Sequence, residues 1–584
     1  MAHQSAASSA LVADLVPELE TLIVQAMGEW KIPGLAIAVV QNGEVALLKA
    51  FGQRDVEAGL PVTTDTQFMI CSITKSFTST GLALLVDERL LDWSRPVRDY
   101  IPEFRLHDPV ATGRITVRDL LCHHWGLPRH DWIHMPGDLS RAQMLAALRH
   151  LEPSQDIRNA FQYQNLGYVA AGLVAERISG VSWEEFTRTR LTDKLRIRVS
   201  FTAEALAEAS DAAVPYAMDG GTRLRTQLWP IRTAPAGAIN ASITGIANWL
   251  RFHLGRGEFD GQRLLSPALI GEMQKPRVHA GTSEFGEIGD LHYGLGFSAY
   301  RYRGERAVAH GGGWLGWGTL MSMLPERGIG VAVFTNRDPS PVTDILTNFI
   351  FDRVCGTAPI PWLDRFRERR RKALAQLDID RNARPALRRM NTRPSHELAE
   401  YAGEYEHPGY GRIVITQAGD GLHWAYRGLS APLAHRHYDT FELPEAAGRL
   451  FPDRLAISFS TDRDGNIASL SAPFEPLVKD IVFARIPAGD CMDAGFRAAC
   501  AGTYSHGQTT HLVALDANGE LTLKPTNQPT YRLRPYQGGI FTIVELAEFR
   551  VEFRRAGDGA IDELIFHQPN GTFVARRIET EASD

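Results

Sequence analysis

Cysteine is scarce in this chain: five among 584 residues, at positions 71, 122, 355, 491 and 500, with no Cys-x-x-Cys pair. An odd, scattered set offers no thiolate metal site and reads as reduced thiols, hence a cytoplasmic protein without disulfides. Long apolar runs are missing too. Nothing approaches the roughly 18 uninterrupted apolar residues of a bilayer span, and residues 1–14 lack a basic segment followed by an apolar one, so neither a membrane anchor nor an export signal is read. Positive charge is not in excess: 62 Lys and Arg stand against 68 Asp and Glu, a net charge of −6. That balance excludes nucleic-acid binding as the leading role. Gly-x-Ser-x-Gly is absent, which removes the strand-turn-helix nucleophile of an α/β-hydrolase.

Three short motifs are present, in this order: Ser72-Ile73-Thr74-Lys75, Tyr163-Gln164-Asn165 and His310-Gly311-Gly312-Gly313. A serine hydroxyl is a weak nucleophile until a neighbour takes its proton, and Ser-x-x-Lys puts an amine one helical turn away on the same face. Lys75 can be that neighbour only while neutral, which requires burial or nearby positive charge, and His310 is a candidate source of the charge. Tyr163 offers a second proton shuttle. Asn165 can orient Lys75 and a substrate carbonyl. The glycines after His310 carry no side chains, so a substrate can lie against them while backbone amides of Ser72 and Gly313 meet a developing oxyanion. Each motif alone has an ordinary reading: a solvated helix face, a loop hydrogen bond, a turn. Their joint occurrence in this order is what points to an active site.

Two competing signals are weaker. Gly311-Gly312-Gly313-Trp314-Leu315-Gly316 spells G-x-G-x-x-G, but strand-like residues follow where a dinucleotide site needs a helix N-terminus. His123, His124, His130 and His134 lie close together, yet Gly126 and Pro128 prevent one helix from presenting them, and no metal is assigned. No cofactor is expected either.

Along the chain, an N-terminal helical stretch (13–29) precedes a hairpin of residues 35–40 and 45–51 turning at Asn42-Gly43. An apolar helix runs from Ser72 to about residue 86, placing the nucleophile at a helix N-terminus. Residues 142–195 have helical periodicity, with the Tyr163 loop between helices. A second hairpin (317–324 and 329–335) puts His310 at the start of a strand lining the cleft, and a helix over 342–354 covers the sheet. Residues 357–393 turn basic and read as a solvated helical linker. Beyond them Ala402-Gly403-Glu404-Tyr405 recurs as Ala501-Gly502-Thr503-Tyr504, and Phe483-Ala484-Arg485-Ile486 as Ala575-Arg576-Arg577-Ile578, a period near one hundred residues. Short alternating strands with Gly, Asp and Asn at the turns predict a small antiparallel barrel in each copy. The expected organisation is a catalytic domain over 1–356, a linker over 357–393, and barrels over 394–489 and 490–584. The fold class is α/β: an antiparallel sheet with flanking helices and a helical lobe, followed by the two barrels.

The three motifs resemble the Ser-x-x-Lys, Tyr-x-Asn and His-x-Gly elements of the penicillin-recognising serine hydrolases, in the branch of class C β-lactamases, family-eight esterases and D-aminopeptidases. Leu120 to Pro128 (Leu-Leu-Cys-His-His-Trp-Gly-Leu-Pro), Pro235-Ala236-Gly237, Tyr293-Gly294-Leu295-Gly296 and Val333-Phe334-Thr335-Asn336 extend the likeness over roughly residues 15–350. Two positions depart from the pattern. His310 stands where β-lactamases carry lysine, which argues against recognition of an antibiotic carboxylate, and Trp125 stands where the family commonly has serine. The resemblance implies Ser72, Lys75, Tyr163, Asn165 and His310 as catalytic residues, with His310 orienting Tyr163. Trp125, Gly311, Gly312 and Trp314 are expected to line the substrate cleft. D-aminopeptidases of this kind carry two barrels after the catalytic domain, and a loop of the last barrel reaches the site entrance; residues 524–531 are the candidate here. The implied activity is that of a D-aminopeptidase or D-amino-acid amidase on short peptides or amides. A carboxylesterase, a peptidase on linearised D-residue-containing peptides, a β-lactamase, and a ligand-binding protein with a dormant catalytic domain stay open. The expected partner is a small peptide, amide or ester substrate, with neither nucleic acid nor membrane; a homodimer stays open as well.

Overall fold

In this computed structural model the described residues are 2–578, apart from 136, 138, 220, 384–387, 444–454, 547 and 558. The catalytic portion is built on a nine-stranded antiparallel sheet. Its order is Val278–Gly281, Leu291–Tyr293, Ser298–Tyr302, Glu305–Trp314, Trp317–Leu324, Ile329–Thr335, Gly34–Gln41, Glu44–Asp55 and Leu60–Pro61. The N-terminal hairpin therefore joins the C-terminal one through Leu35↔Thr335 to Gln41↔Ile329. Both hairpins and the helix Val342–Val354 fall where sequence periodicity places them.

Gly34–Gln41 is buried along its whole length because it lies between two layers, and its period-two alternation divides it cleanly. Leu35, Ile37 and Val39 join Ile23, Val331, Val333, Ile345 and Ile350 under the terminal helices. The intervening Ala36, Ala38 and Val40 face a larger core with Phe77, Trp249, Leu250 and Phe334. The N-terminal helix Ala2–Trp30 seats itself with Leu19, Ile23, Ala26 and Trp30, a helical-period stripe. Burying each large side chain of this kind contributes roughly 1.5–3 kcal/mol.

The basic segment differs from the expected solvated bridge. It forms a helix, Trp362–Ala383, whose first turns pack into the catalytic layer: Trp362 and Phe366 are buried, and Trp362 donates to Asp352 at 2.8 Å. Its arginines are matched by acids of the layer beneath, Arg365 with Glu287, Arg367 with Glu29 and Arg369 with Glu284. Residues 384–387 of the expected linker lie outside the described residues.

Two closed eight-stranded antiparallel barrels follow, with strands from Gly403–His407 to Ile481–Arg485 and from Gly502–His506 to Gly571–Ile578. The repeat seen in sequence is one structural staple made twice. Tyr405 Oη donates to the Tyr401 carbonyl and Tyr504 Oη to the Cys500 carbonyl, both at 2.8 Å. Arg485 and Arg577 then cover those rings at 5.9 Å and donate to the carbonyls of Ala402 and Ala501. Glycine at 403 and 502 permits this approach, since a Cβ there would press on the arginine side chain.

Candidate active site

Ser72 sits in a single 3-10 turn, Cys71–Ile73, and the α-helix Thr74–Asp87 begins two residues beyond it. The helix is buried from Thr74 to Leu85, anchored by Trp249, which stacks on Phe77 at 3.7 Å and donates to Ser76. Cys71 enters the turn with φ of +50°, a left-handed conformation in a residue with a Cβ. Such local strain persists only where its surroundings over-determine it, and here it turns the serine out of a buried layer. Those surroundings include Phe68–Met69 paired with Asn240–Ala241, and Ile70 N donating to the Ile239 carbonyl.

That pairing also delivers the short helix Ala234–Gly237 onto the nucleophile helix, where Thr78 Oγ1 donates to the Pro235 carbonyl at 2.6 Å. Lys75 is consequently fully enclosed, with 0% exposure. Its Nζ lies 3.1 Å from Ser72 Oγ, 2.8 Å from Asn165 Oδ1 and 2.9 Å from the Ala236 carbonyl oxygen. Burial, and then the guanidinium of Arg129, push its pKa well below the ordinary lysine value.

Tyr163 and Asn165 approach from the helical lobe. Gln164 caps the helix Asn165–Ser179 by accepting from Leu166 N, and its own backbone N donates to His123 Nδ1 at 3.1 Å. His123 thus places Asn165 at the first helical position. The Tyr163 phenol neighbours the Ser72 side chain, and Lys75 Nζ lies 4.7 Å from its ring centre. Burial raises the pKa of Tyr163 far above the usual phenol range, so it keeps its proton.

His310 is mid-strand in Glu305–Trp314 rather than at a strand start. Its Nδ1 donates to the Gly311 carbonyl at 2.7 Å, so Nε2 accepts from Tyr293 Oη, also at 2.7 Å. The partner is Tyr293 and not Tyr163, which corrects the expected role. Tyr293 stands edge-on to Tyr163, with ring centres 6.3 Å apart, and so intervenes between them. Nor does His310 supply positive charge to Lys75: it is 4% exposed, and burial, then Lys75, lower its pKa to about 3, leaving the ring neutral.

The glycines shape the strand as two different faces. Ser298↔Ala309 is the last pair on one side, while on the other the ladder continues to Trp314↔Trp317, closed by the two-residue turn Leu315-Gly316. In such a hairpin the closing pair is the bonded one. Bonds to Trp317–Leu324 therefore come from 314, 312 and 310, and Gly311 and Gly313 turn their N–H and C=O groups toward the unpaired edge. At Gly312 the strand rests directly on the nucleophile turn, where a Cβ would collide with Thr319 Oγ1 and the Ile70 carbonyl. Gly312→Ala is expected to destabilise the fold by roughly 1–3 kcal/mol, as overpacking does, and to displace Ser72. The denaturation midpoint and the rate of fluorophosphonate labelling measure the two effects.

Trp125 does not line the cleft. It is 1% exposed, part of the lobe's core, and its ring lies over Gly167 at about contact distance. Trp314 is half-buried and donates to the Trp229 carbonyl at 3.1 Å. The 524–531 connection hydrogen-bonds within its own barrel, through Thr526 with Thr510 and Tyr531 with Gln528. The first barrel meets the catalytic domain. Phe474 stacks on Trp132 at 4.2 Å, Tyr426 Oη donates to the Trp132 carbonyl, and Glu475 accepts from His130 N at 2.7 Å. These contacts grip residues 130–132, which follow Arg129, whose guanidinium lies 5.4 Å from the Tyr163 ring centre. Sequence reading missed Arg129 and the Ala236 carbonyl. A charged residue two places after a glycine-leucine pair and a backbone oxygen carry no pattern of their own.

The beta-lactamase family profile matches residues 19–351, more than half of the chain. The chain belongs to the beta-lactamase family. Members with this fold are serine hydrolases. A domain of unknown function, DUF3471, matches residues 387–485, the first barrel. Similar proteins include the unguisins hydrolase ungD of Aspergillus violaceofuscus, 27% identical over 69% of this chain and 77% of its own length. Penicillin-binding protein 4 of Amycolatopsis lactamdurans is 27% identical over 53% of this chain and 82% of its own. Among solved structures, the octameric penicillin-binding protein homologue from Pyrococcus abyssi superposes with a TM-score of 0.54 at 25% identity, covering 80% of this chain and 99% of that one.

Proposed function

We propose that the protein cleaves short peptides or amides by acyl transfer to Ser72, as a D-aminopeptidase or D-amino-acid amidase. The observation that carries this is the hydrogen-bond accounting at Lys75. A neutral amine has two N–H groups and one lone pair. The Asn165 Oδ1 and Ala236 oxygens can only accept, so they take both hydrogens. The lone pair is then left for the third neighbour, the Ser72 hydroxyl.

In the reaction Ser72 Oγ bonds to the carbonyl carbon as its proton passes to Lys75 Nζ. The oxyanion is held by the backbone N–H groups of Ser72 and Gly313. Collapse breaks the C–N bond, and the Tyr163 phenol protonates the departing amine; the proton on Lys75 then passes to the Tyr163 phenolate beside it, since Ser72 Oγ is now an ester oxygen with no proton of its own. Water repeats the sequence on the ester and frees the acid. The unpaired edge at Gly311 and Gly313 favours amides over simple esters, because a peptide backbone can add to it as a strand and an alkyl ester cannot. Histidine at 310 and the twin barrels support a peptide-type substrate.

A panel of D- and L-alanine p-nitroanilides, p-nitrophenyl acetate and a chromogenic cephalosporin tests this. Turnover of the D-anilide with little of the L-anilide is expected, and turnover confined to the ester would overturn the amidase reading. Tyr163→Phe should lower kcat on an alkyl amide by roughly 10²–10⁴-fold, the usual worth of a positioned acid. It should affect p-nitrophenyl acetate far less, since p-nitrophenolate leaves without a proton. Equal losses on both substrates would remove Tyr163 as the acid.

A further inference from the structure

We propose that Arg129 is a specificity-determining residue whose guanidinium receives a carboxylate of the substrate. The proposal rests on the acyl-transfer reading above and adds the charge class of what binds.

Two basic side chains of the site, Lys75 and His310, are not cationic in the working enzyme. Lys75 acts as a neutral base, and His310 is neutral by burial. Arg129 is always charged. It lies over Tyr163, which itself touches Ser72, and 52% of its side chain is open to solvent. A permanently charged, half-exposed group one aromatic ring away from the nucleophile is within reach of a short substrate.

Its bonding leaves the recognising end free. Nε donates to Asp131 Oδ2 at 2.6 Å, while the two terminal nitrogens have no hydrogen-bond acceptor among the described residues. The nearby acids are engaged elsewhere as well as here. Asp131 Oδ1 meets His134 Nε2 at 3.1 Å, and the two Glu475 oxygens accept from the backbone of His130 and Leu477. Asp131 therefore acts as a clamp on Nε, and the two terminal amino groups are left as the fork that suits a carboxylate.

The loop is also preformed, and from an unexpected side. His130 is in the left-handed region, φ 45° and ψ 39°, with Nδ1 2.6 Å from Tyr410 Oη of the first barrel. Trp132 is stacked on Phe474, and Tyr426 holds its carbonyl. A barrel more than 270 residues away in sequence thus holds the residues beside Arg129 before any substrate arrives. Pre-organisation of this kind reduces the ordering cost of binding.

The test uses calorimetry on the full chain carrying Ser72→Ala, so that nothing turns over, with D-alanyl-D-alanine and D-alanyl-D-alaninamide as probes. The two differ only in the terminal carboxylate. The acid is expected to bind roughly 10- to 100-fold more tightly than the amide, the range for a charge-assisted hydrogen-bonded pair. Adding Arg129→Gln should bring that ratio to about one, and Arg129→Lys should leave an intermediate value, because it keeps the charge and loses the fork. A ratio near one before Arg129 is changed, or a ratio that survives Arg129→Gln, would overturn the proposal. Failure of the acyl-transfer reading shows separately, as absence of ester labelling at Ser72 in the unaltered protein.

Discussion

Ser72→Ala is expected to reduce turnover of every hydrolysed substrate by at least about 10⁴-fold, the scale seen when a serine hydrolase loses its nucleophile. The fold should stay intact. The side chain is half-buried and its neighbours tolerate the loss: Lys75 keeps Asn165 Oδ1 and the Ala236 carbonyl, and the Tyr163 phenol, which loses its Ser72 neighbour, belongs to a residue that is only partly buried. The thermal midpoint should therefore move by no more than about 2–4 °C, the shift that about 1 kcal/mol produces in a domain of this size. p-Nitroanilide release and the mass shift on fluorophosphonate labelling read the chemical effect. Residual hydrolysis above about one per cent, or labelling that persists at another residue, would place the nucleophile elsewhere.

Lys75→Met carries the second large effect. Methionine approximates the length of the side chain and suits the enclosure, but it has neither proton nor lone pair to exchange with Ser72. The loss expected in kcat is roughly 10²–10⁴-fold for the base function. Stability should also fall by roughly 1–3 kcal/mol per abandoned acceptor, because Asn165 Oδ1 and the Ala236 carbonyl lose their donor. The pH profile separates the base role from mere packing. Lys75 must be neutral to accept the serine proton, and its pKa lies well below the ordinary lysine value, first through burial and then through Arg129. Activity is thus present above that lowered pKa and falls about tenfold per unit as pH drops below it, where the amine holds its proton. The acid limb of kcat/KM should vanish in Lys75→Met while the residual rate stays flat. An identical limb in both proteins would assign that ionisation to another group.

Arg129 bears on the same profile from the other direction. After burial, its charge does most to keep Lys75 neutral. One side chain thus lies between the base and the proposed substrate carboxylate, and it connects the first barrel to the chemistry at Ser72. Among the described residues the first barrel grips residues 130–132, while the second barrel bonds to the first, through Tyr536 with Asp462 and Asn466 and Arg463 with Glu548.

Much of this architecture is legible in the chain itself because the interactions that build it are local. Ser72 and Lys75 are three residues apart, and a single 3-10 turn running into the α-helix brings them to 3.1 Å. The hairpins at 42–43 and 325–328, the helix over 342–354, and the repeated tyrosine-arginine staple of the barrels follow from period-two alternation, turn residues and recurrence. What tertiary packing alone decided lies where partners are far apart in sequence. His310 faces Tyr293 because it lies just past the end of the intervening strand Ser298–Tyr302, Trp125 goes inward because Gly167 leaves room for an indole, and Arg129 is steadied by residues some 345 positions away at Glu475. Composition marks each of these as aromatic or charged. Which face it presents and whom it meets are settled by steric fit between elements, information that periodicity within a single segment does not contain.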